Sequence, residues 1–165
     1  MKYMDSGHIR DIKITAAVIS VSSSRTPDLD LSGQTIRSLL EKSGIDVTYY
    51  AVVPDIVEKI RDAFFQAMEK SNCIIFNGGT GLTHDDCTIE AIEPLLEKSV
   101  DGFGEIFRSK SYAEIGVSAI LSRAIGGIFK GKAIFCIPGS PKAVQLATSQ
   151  LIIPVVQHMV SHASR

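Results

Sequence analysis

Between residues 76 and 88 the chain reads FNGGTGLTHDDCT, its densest collection of groups able to handle a phosphate. Gly78, Gly79 and Gly81, interrupted only by Thr80, remove the side chains that would hold an anion away from backbone N–H groups. The pattern is neither GxGxxG nor GxxxxGK[ST], so the common nucleotide fingerprints are absent and a plain glycine turn stands as an equal alternative. Asp86 follows close behind, where a carboxylate could hold Mg2+ bridging phosphate oxygens. Its neighbour Asp85 reads as a solvated turn residue and His84 as a loop histidine facing water. Asp55, after Pro54, is a candidate partner for Asp86, although its position three residues before Glu58 also fits the capped start of a helix.

Further polar groups cluster at three other places. Ser22, Ser23, Ser24 and Arg25 form one run. Pro138, Gly139, Ser140, Pro141 and Lys142 form a turn that opens a helix, where a hydroxyl, an ammonium and free N–H groups suit phosphate, as does a purely structural Ser-Pro start. Ser122 and Arg123 offer either a phosphate-binding cation or a charge at a helix end. Cys73 and Cys136 sit in apolar runs and read as inert core thiols, and Cys87 has no basic neighbour to activate it.

These residues need elements to position them. Residues 14–21, 46–53 and 73–76 are short β-branched or wholly apolar runs, as are 124–129 and 133–137, and helical periods lie between several of them. Ser32 reads as the N-cap of a helix carrying Ile36, Leu39 and Leu40, with Gly44 ending it. A second helix presents Ile56, Ile60, Ala63, Phe64, Ala67 and Met68, and another starts near Thr88. A last one carries Ala143, Ala147, Leu151, Val155 and Met159 as an apolar stripe, with Val144, Ile152 and Val156 beside it. The segment around residues 100–120 reads only as a glycine-containing middle section. Alternation of this kind predicts an α/β fold: a three-layer αβα sandwich with a mostly parallel central sheet, and with ligands outside the carboxyl ends of the strands. The Ser22–Arg25 run, Asp55, the glycine loop and the Pro138–Pro141 turn all follow strands, so four strand ends are expected to face one cleft.

Length and composition bound the remainder. The chain has 165 residues, 45% apolar and 21% charged, and predicts one domain with its core at about residues 13–160. A formal charge of -1 argues against nucleic acid or an anionic membrane as partner. Three widely spaced cysteines without a CxxC pair fit reduced thiols in the cytoplasm. Charges at Lys2, Asp5, Arg10 and Asp11 break any signal-peptide core. Residues 143–160 approach a membrane span in length, but Gln145, Thr148, Gln150 and Pro154 make a core-facing helix the better reading.

The ordered strings GGTGLTHDDCTIEAI (78–92), GFGEIFR (102–108), LSRAIGG (121–127) and PGSPKAV (138–144) resemble the molybdenum cofactor biosynthesis family, which includes the MoaB and MogA proteins and the gephyrin G domain. SSSR (22–25), DLSG (30–33) and VPD (53–55) fit the same pattern, and GFGEIFR with SYAEIG (111–116) is most similar to the MoaB branch. The resemblance implies a cytoplasmic trimer or hexamer that adenylylates molybdopterin with Mg-ATP and releases pyrophosphate. A molybdate-insertion protein is then an expected partner. By motif match Asp86 takes the place of the catalytic aspartate and Asp55 that of the second functional aspartate, with both holding Mg2+. Ser22, Ser23, Ser24, Arg25, Gly78, Gly79, Thr80, Gly81, Ser122, Arg123, Pro138, Gly139, Ser140 and Lys142 are then the expected contacts for substrate and nucleotide. One departure stands out: Asp85 occupies a position that is basic in many members. An added negative charge there weakens phosphate binding unless it points away, which keeps a non-catalytic molybdopterin-binding or scaffold role as the alternative.

Overall fold

A run such as CIIF has no polar face, so a strand built from it needs an apolar layer on each side. The computed structural model, which describes residues 10–165, supplies both layers. Lys2 and Asp5 lie outside the described residues. Six strands, β1 (Thr15–Val21), β2 (Asp46–Val53), β3 (Cys73–Asn77), β4 (Lys98–Ser99), β5 (Ile125–Phe129) and β6 (Lys132–Ile137), form one sheet in the order β2-β1-β3-β6-β5-β4. The neighbours among β2, β1, β3 and β6 pair in parallel. Alternation along β1 sends Ala16 and Val18 to one core and Ala17, Ile19 and Val21 to the other. The first core is covered by α1 (Leu31–Lys42), α4 (Asp101–Ile115) and the C-terminal helix, the second by α2 (Val57–Lys70) and α3 (Thr88–Ile92). This is the expected three-layer sandwich.

Several local expectations change. The α1 cap is Asp30, whose carboxylate accepts from Gly33 N–H at 3.0 Å, and Ser32 instead donates to the Gly139 carbonyl at 2.6 Å. Likewise α2 begins after Ile56 without any side-chain cap, so Asp55 is free of that structural duty. The middle section hides the 15-residue α4, which Gly102 and Gly104 disguise because each lowers helix propensity by about 1 kcal/mol. Gly104 is there for space: a Cβ would stand 2.6 Å from the Ala124 carbonyl oxygen. Its buried face is Phe103, Phe107 and Ser111, spaced four apart.

Parallel pairing also stops short of the sheet edge. Only two residues, Lys130 and Gly131, separate β5 from β6, both with positive φ, and so short a link permits only an antiparallel hairpin. The two-residue β4 then adds antiparallel to β5.

The C-terminal helix runs continuously over Pro141–Ala163, long and apolar enough to cross a membrane, yet half of it is buried inside the fold. It comprises α5 (Pro141–Leu146), a π-helical stretch (Ala147–Ile152) and α6 (Ile153–Ala163). Pro154 lacks an N–H and clashes with the preceding turn of a regular helix, and the wider π turn ahead of it accommodates that defect. The buried stripe runs through Val144, Ala147, Thr148, Ile152, Val156 and Val160, while Leu151, Val155 and Met159 only flank it.

Candidate functional site

β2 lies on one side of β1 and β3 on the other, so the chain reverses its winding direction there and the loops above β1 and β3 part. A cleft of about 370 Å³ opens at that point, lined by Val21, Ser22 to Arg25, Asp55, Gly78, Gly79, Asp86 and Gly139. All four anticipated strand ends contribute to it. The structure thus brings together both aspartates, the Ser22–Arg25 run, two glycines of the loop and Gly139. It leaves Ser122, Pro138, Ser140 and Lys142 in an adjoining cavity walled by Phe107, Ile115 and Leu146. Ser140 is the N-cap of α5, accepting from Ala143 N–H at 3.3 Å, with Pro141 in the first turn. Asp85 and His84 are exposed and line none of the cleft. Arg25 is therefore the only cation among the lining residues, against the carboxylates of Asp55 and Asp86.

The glycine loop has an asymmetric hydrogen-bond account. Thr88, the first residue of α3, ties two carbonyls: its Oγ1 donates to Gly78 at 2.7 Å and its N–H to Gly79 at 3.0 Å. Arg123 ties the next two, Nε donating to Thr80 and Nη2 to Gly81, each at 2.8 Å. Gly78 N–H is used by the Ile137 carbonyl. The N–H groups of Gly79, Thr80 and Gly81 have no acceptor among the described residues. With its carbonyls satisfied and three successive amides open, the loop presents positive polarity, the character of an anion-binding nest. Thr80 itself is buried.

Arg123 is fixed from the far side by Glu90, with Nη1 and Nη2 donating to the carboxylate at 2.6 and 3.1 Å. Its donors therefore serve the loop and Glu90. The pair is partly exposed, and such ion pairs contribute at most about 1 kcal/mol to stability. Hydrogen bonding to Arg123 holds the Glu90 carboxyl below the usual carboxylate range. The folded chain thus binds that proton more weakly than the unfolded one. The small contribution is present at neutral pH and lost only as pH falls below that range.

Each aspartate is held through one oxygen. Asp86 Oδ2 accepts from Thr83 N–H at 3.1 Å and from Thr83 Oγ1 at 2.7 Å, and Asp55 Oδ2 accepts from Ser23 Oγ at 2.8 Å. Neither Oδ1 has a hydrogen-bond partner among the described residues. No group of three or more His, Cys, Asp or Glu gathers as a metal cage among those residues. Two carboxylate oxygens beside an anion-binding loop nevertheless suit a hard divalent ion such as Mg2+, which takes few protein ligands and fills its shell with water and phosphate oxygens. Burial, then the negative fields of Asp55, Glu90, Asp86 and Asp85, push the Cys87 thiol up, which disfavours its thiolate. Burial also pushes Cys73 up to about 12 and raises Cys136.

A second polar cluster went unread in the sequence. Asp30 is completely buried and accepts from Ser20 Oγ and Tyr50 Oη, each at 2.5 Å, besides capping α1. Asn77 Nδ2 donates to Ser20 Oγ at 2.8 Å, and Arg25 reaches to within 3.9 Å of Asp30. Burial and the bond to Asp30 raise the Tyr50 hydroxyl pKa. The available signal was Ser20 and Asn77 at the ends of otherwise apolar strands, where a polar residue demands a buried partner. We expect Asp30→Asn, which turns an acceptor into a donor facing donors, to cost about 2–4 kcal/mol. A fall in thermal midpoint of roughly 5–15 °C would record that cost, and one under about 2 °C would refute it.

Against known proteins, residues 17–158 match the sequence model of a family described as "Probable molybdopterin binding domain". Molybdenum cofactor biosynthesis protein B of Bacillus cereus is 43% identical over 156 residues, spanning 93% of this chain and 92% of the relative. A crystal structure of a molybdenum cofactor biosynthesis protein B superposes with a TM-score of 0.88 at 42% identity, covering 92% of this chain and 96% of the other. The tungsten cofactor synthesizing protein MoaB from Pyrococcus furiosus gives 0.85 at 36% identity, over 93% and 98%.

Proposed function

This chain belongs to the MoaB/MogA family of molybdenum cofactor biosynthesis proteins, and from that premise we propose that it is a molybdopterin adenylyltransferase using Mg-ATP. In this reaction an oxygen of the molybdopterin terminal phosphate attacks the α-phosphorus of ATP, the bond to the bridging oxygen of the β-phosphate breaks, and pyrophosphate leaves. The observation that carries the reading is the glycine loop, whose Gly78 and Gly79 line the cleft beside two carboxylates that each keep an oxygen free and whose amides from Gly79 to Gly81 have no acceptor among the described residues.

Transfer between two polyanions is opposed by repulsion, so the site must hold both phosphate chains and offset their charge. Amides of the glycine loop bind phosphate oxygens. Arg25, which also lines the cleft, adds one full positive charge. Asp55 and Asp86 would hold Mg2+, which supplies charge neutralisation at the transferring phosphate. Ser23 and Thr83 orient those carboxylates so that Oδ1 of each faces no competing donor. The exposed Asp85 stands off the cleft, which relieves the like-charge conflict that its position in the sequence suggests.

Incubating the protein with molybdopterin and Mg-ATP should yield adenylyl-molybdopterin and pyrophosphate. Saturable molybdopterin binding without product would instead support the pathway role of a binding or scaffold protein. That alternative draws on the excess of carboxylates over cations in the cleft.

We also propose a homo-oligomer. Ile106, Tyr112, Ile115, Val117, Ile120 and Leu121 are exposed on α4 and the 3-10 segment Gly116–Leu121 that follows it, an apolar surface suited to symmetric association. Light scattering should return a mass of three or six chains, and a monomer at working concentration would refute this.

A further inference from the structure

Arg123 is the residue whose sequence reading and structural setting differ most. As a loop arginine in a phosphate-handling protein it invites assignment as a phosphate ligand. Its guanidinium is instead turned to protein: Nε and Nη2 hold the carbonyls of Thr80 and Gly81, and Nη1 and Nη2 hold Glu90. Four donor contacts use nearly the whole planar fork of an arginine, which carries five N–H groups. The loop's other two carbonyls are held by Thr88.

A peptide plane is rigid, so fixing its carbonyl on one side fixes its amide on the other. The Thr80 carbonyl shares its peptide plane with the Gly81 amide, and the Gly79 carbonyl shares its plane with the Thr80 amide. The Gly78 carbonyl likewise sets the Gly79 amide. Thr88 and Arg123 together therefore set the direction of every open amide in the loop, and Glu90 sets the direction of Arg123.

We infer that Arg123 and Glu90 act as one positioning unit, holding the glycine loop in its phosphate-binding form, and that Arg123 does not itself bind phosphate. This rests on the reading of the loop as the phosphate seat. Lys is a poor replacement at 123, because a point charge on a flexible stem cannot reach two carbonyls and a carboxylate in one plane. The two roles also separate on what Glu90 does. In a positioning unit, removing the Glu90 charge lets the guanidinium drift and harms binding as loss of Arg123 does. Were Arg123 a phosphate ligand, Glu90 would be its competitor, and removing that charge would release Arg123 to the ligand and strengthen binding.

The test uses the full-length chain as Arg123→Lys, Glu90→Gln and the double variant. Two quantities are measured: hydrogen exchange without ligand at the bonded amides that hold the loop, Gly78, Thr83, Asp86 and Thr88, and affinity for pyrophosphate with Mg2+ by calorimetry. Each single substitution should speed loop exchange at least tenfold while peptides of β1 and α1 exchange as in wild type. Each should also weaken pyrophosphate binding about 5- to 30-fold, with the double variant no weaker than the weaker single, the signature of groups acting together. Unchanged or tighter binding by Glu90→Gln, with unaltered loop exchange, would overturn the inference. If Arg123→Lys fails to fold, Glu90→Gln decides alone. If wild type binds no pyrophosphate, the phosphate seat of the proposed function fails, while the exchange comparison still decides whether Arg123 and Glu90 hold the loop.

Discussion

Asp86→Asn is expected to lower adenylyl transfer by about 10²–10³-fold or more while leaving the fold intact, because the substitution separates the two duties of this side chain. One carboxylate oxygen caps the local turn through Thr83 N–H and Oγ1, and an asparagine amide oxygen accepts those hydrogen bonds equally well. The other duty needs charge. An amide neither neutralises Mg2+ nor holds it firmly, so the phosphates meet with their repulsion little relieved. Asp55→Asn should act in the same direction, its structural contact to Ser23 Oγ being likewise retained by an amide oxygen. The measurements are product formation and the thermal midpoint, taken on the same preparations. Activity within tenfold of wild type for Asp86→Asn, at saturating Mg-ATP and molybdopterin, would remove Asp86 from the catalytic role.

Gly78→Ala should be the most damaging small substitution for the loop. Gly78 sits at φ +88°, and a Cβ there would lie 2.5 Å from the backbone oxygen of Val21 at the end of β1. The left-handed backbone costs about 1–2 kcal/mol for an L-residue, and the overlap adds about 1–3 kcal/mol, since neither partner is a side chain that can swing aside. A loss of about 2–5 kcal/mol corresponds to a midpoint roughly 5–15 °C lower in a chain of this size. Pyrophosphate binding should be lost with it, because the strain falls on the peptide that begins the open amides. Gly102→Ala is the matched control. A Cβ there meets nothing within 4 Å, and alanine favours a helix over glycine by up to about 1 kcal/mol, so that variant should be neutral or slightly stabilised. Equal midpoints for the two variants would show that the close approach of β1 and the glycine loop has been misread.

The strand at 46–53 was bounded to the residue, because a β-branched run between Gly44 and Pro54 leaves little freedom. Asp55 and the Ser22–Arg25 run reach the cleft because polar residues just after apolar strands have one place to go, the carboxyl edge of the sheet, and Asp86 reaches it at the far end of the glycine loop. The α4 helix is not legible in the sequence, because its two glycines and short buried face blur the helical period. The mostly parallel sheet leaves the direction of β5 open, and the two-residue link to β6 decides it, being too short for a crossover. Cap assignments failed at Ser32 and Asp55 for a common reason. Several residues at each helix start have suitable side chains, and tertiary hydrogen bonds decide which one caps.

By itself, then, the sequence determined the layers and the chemistry brought to the strand ends, since apolar run length and local periodicity act over a few residues. Ordered motifs from the glycine loop to the Pro138–Pro141 turn also carried the family. Only the tertiary structure decided what each polar group does there. Arg123 meets the loop from more than forty residues away, Asp30 is held by Ser20 and Tyr50 on two different strands, and Asp55 is released from capping to line the same cleft as Asp86. Such pairings depend on strand order and on which carbonyls remain open after the sheet forms. A charge of -1 over the whole chain gave no hint of them. An arginine read as a ligand for phosphate is, in the folded chain, turned toward the loop that would bind it.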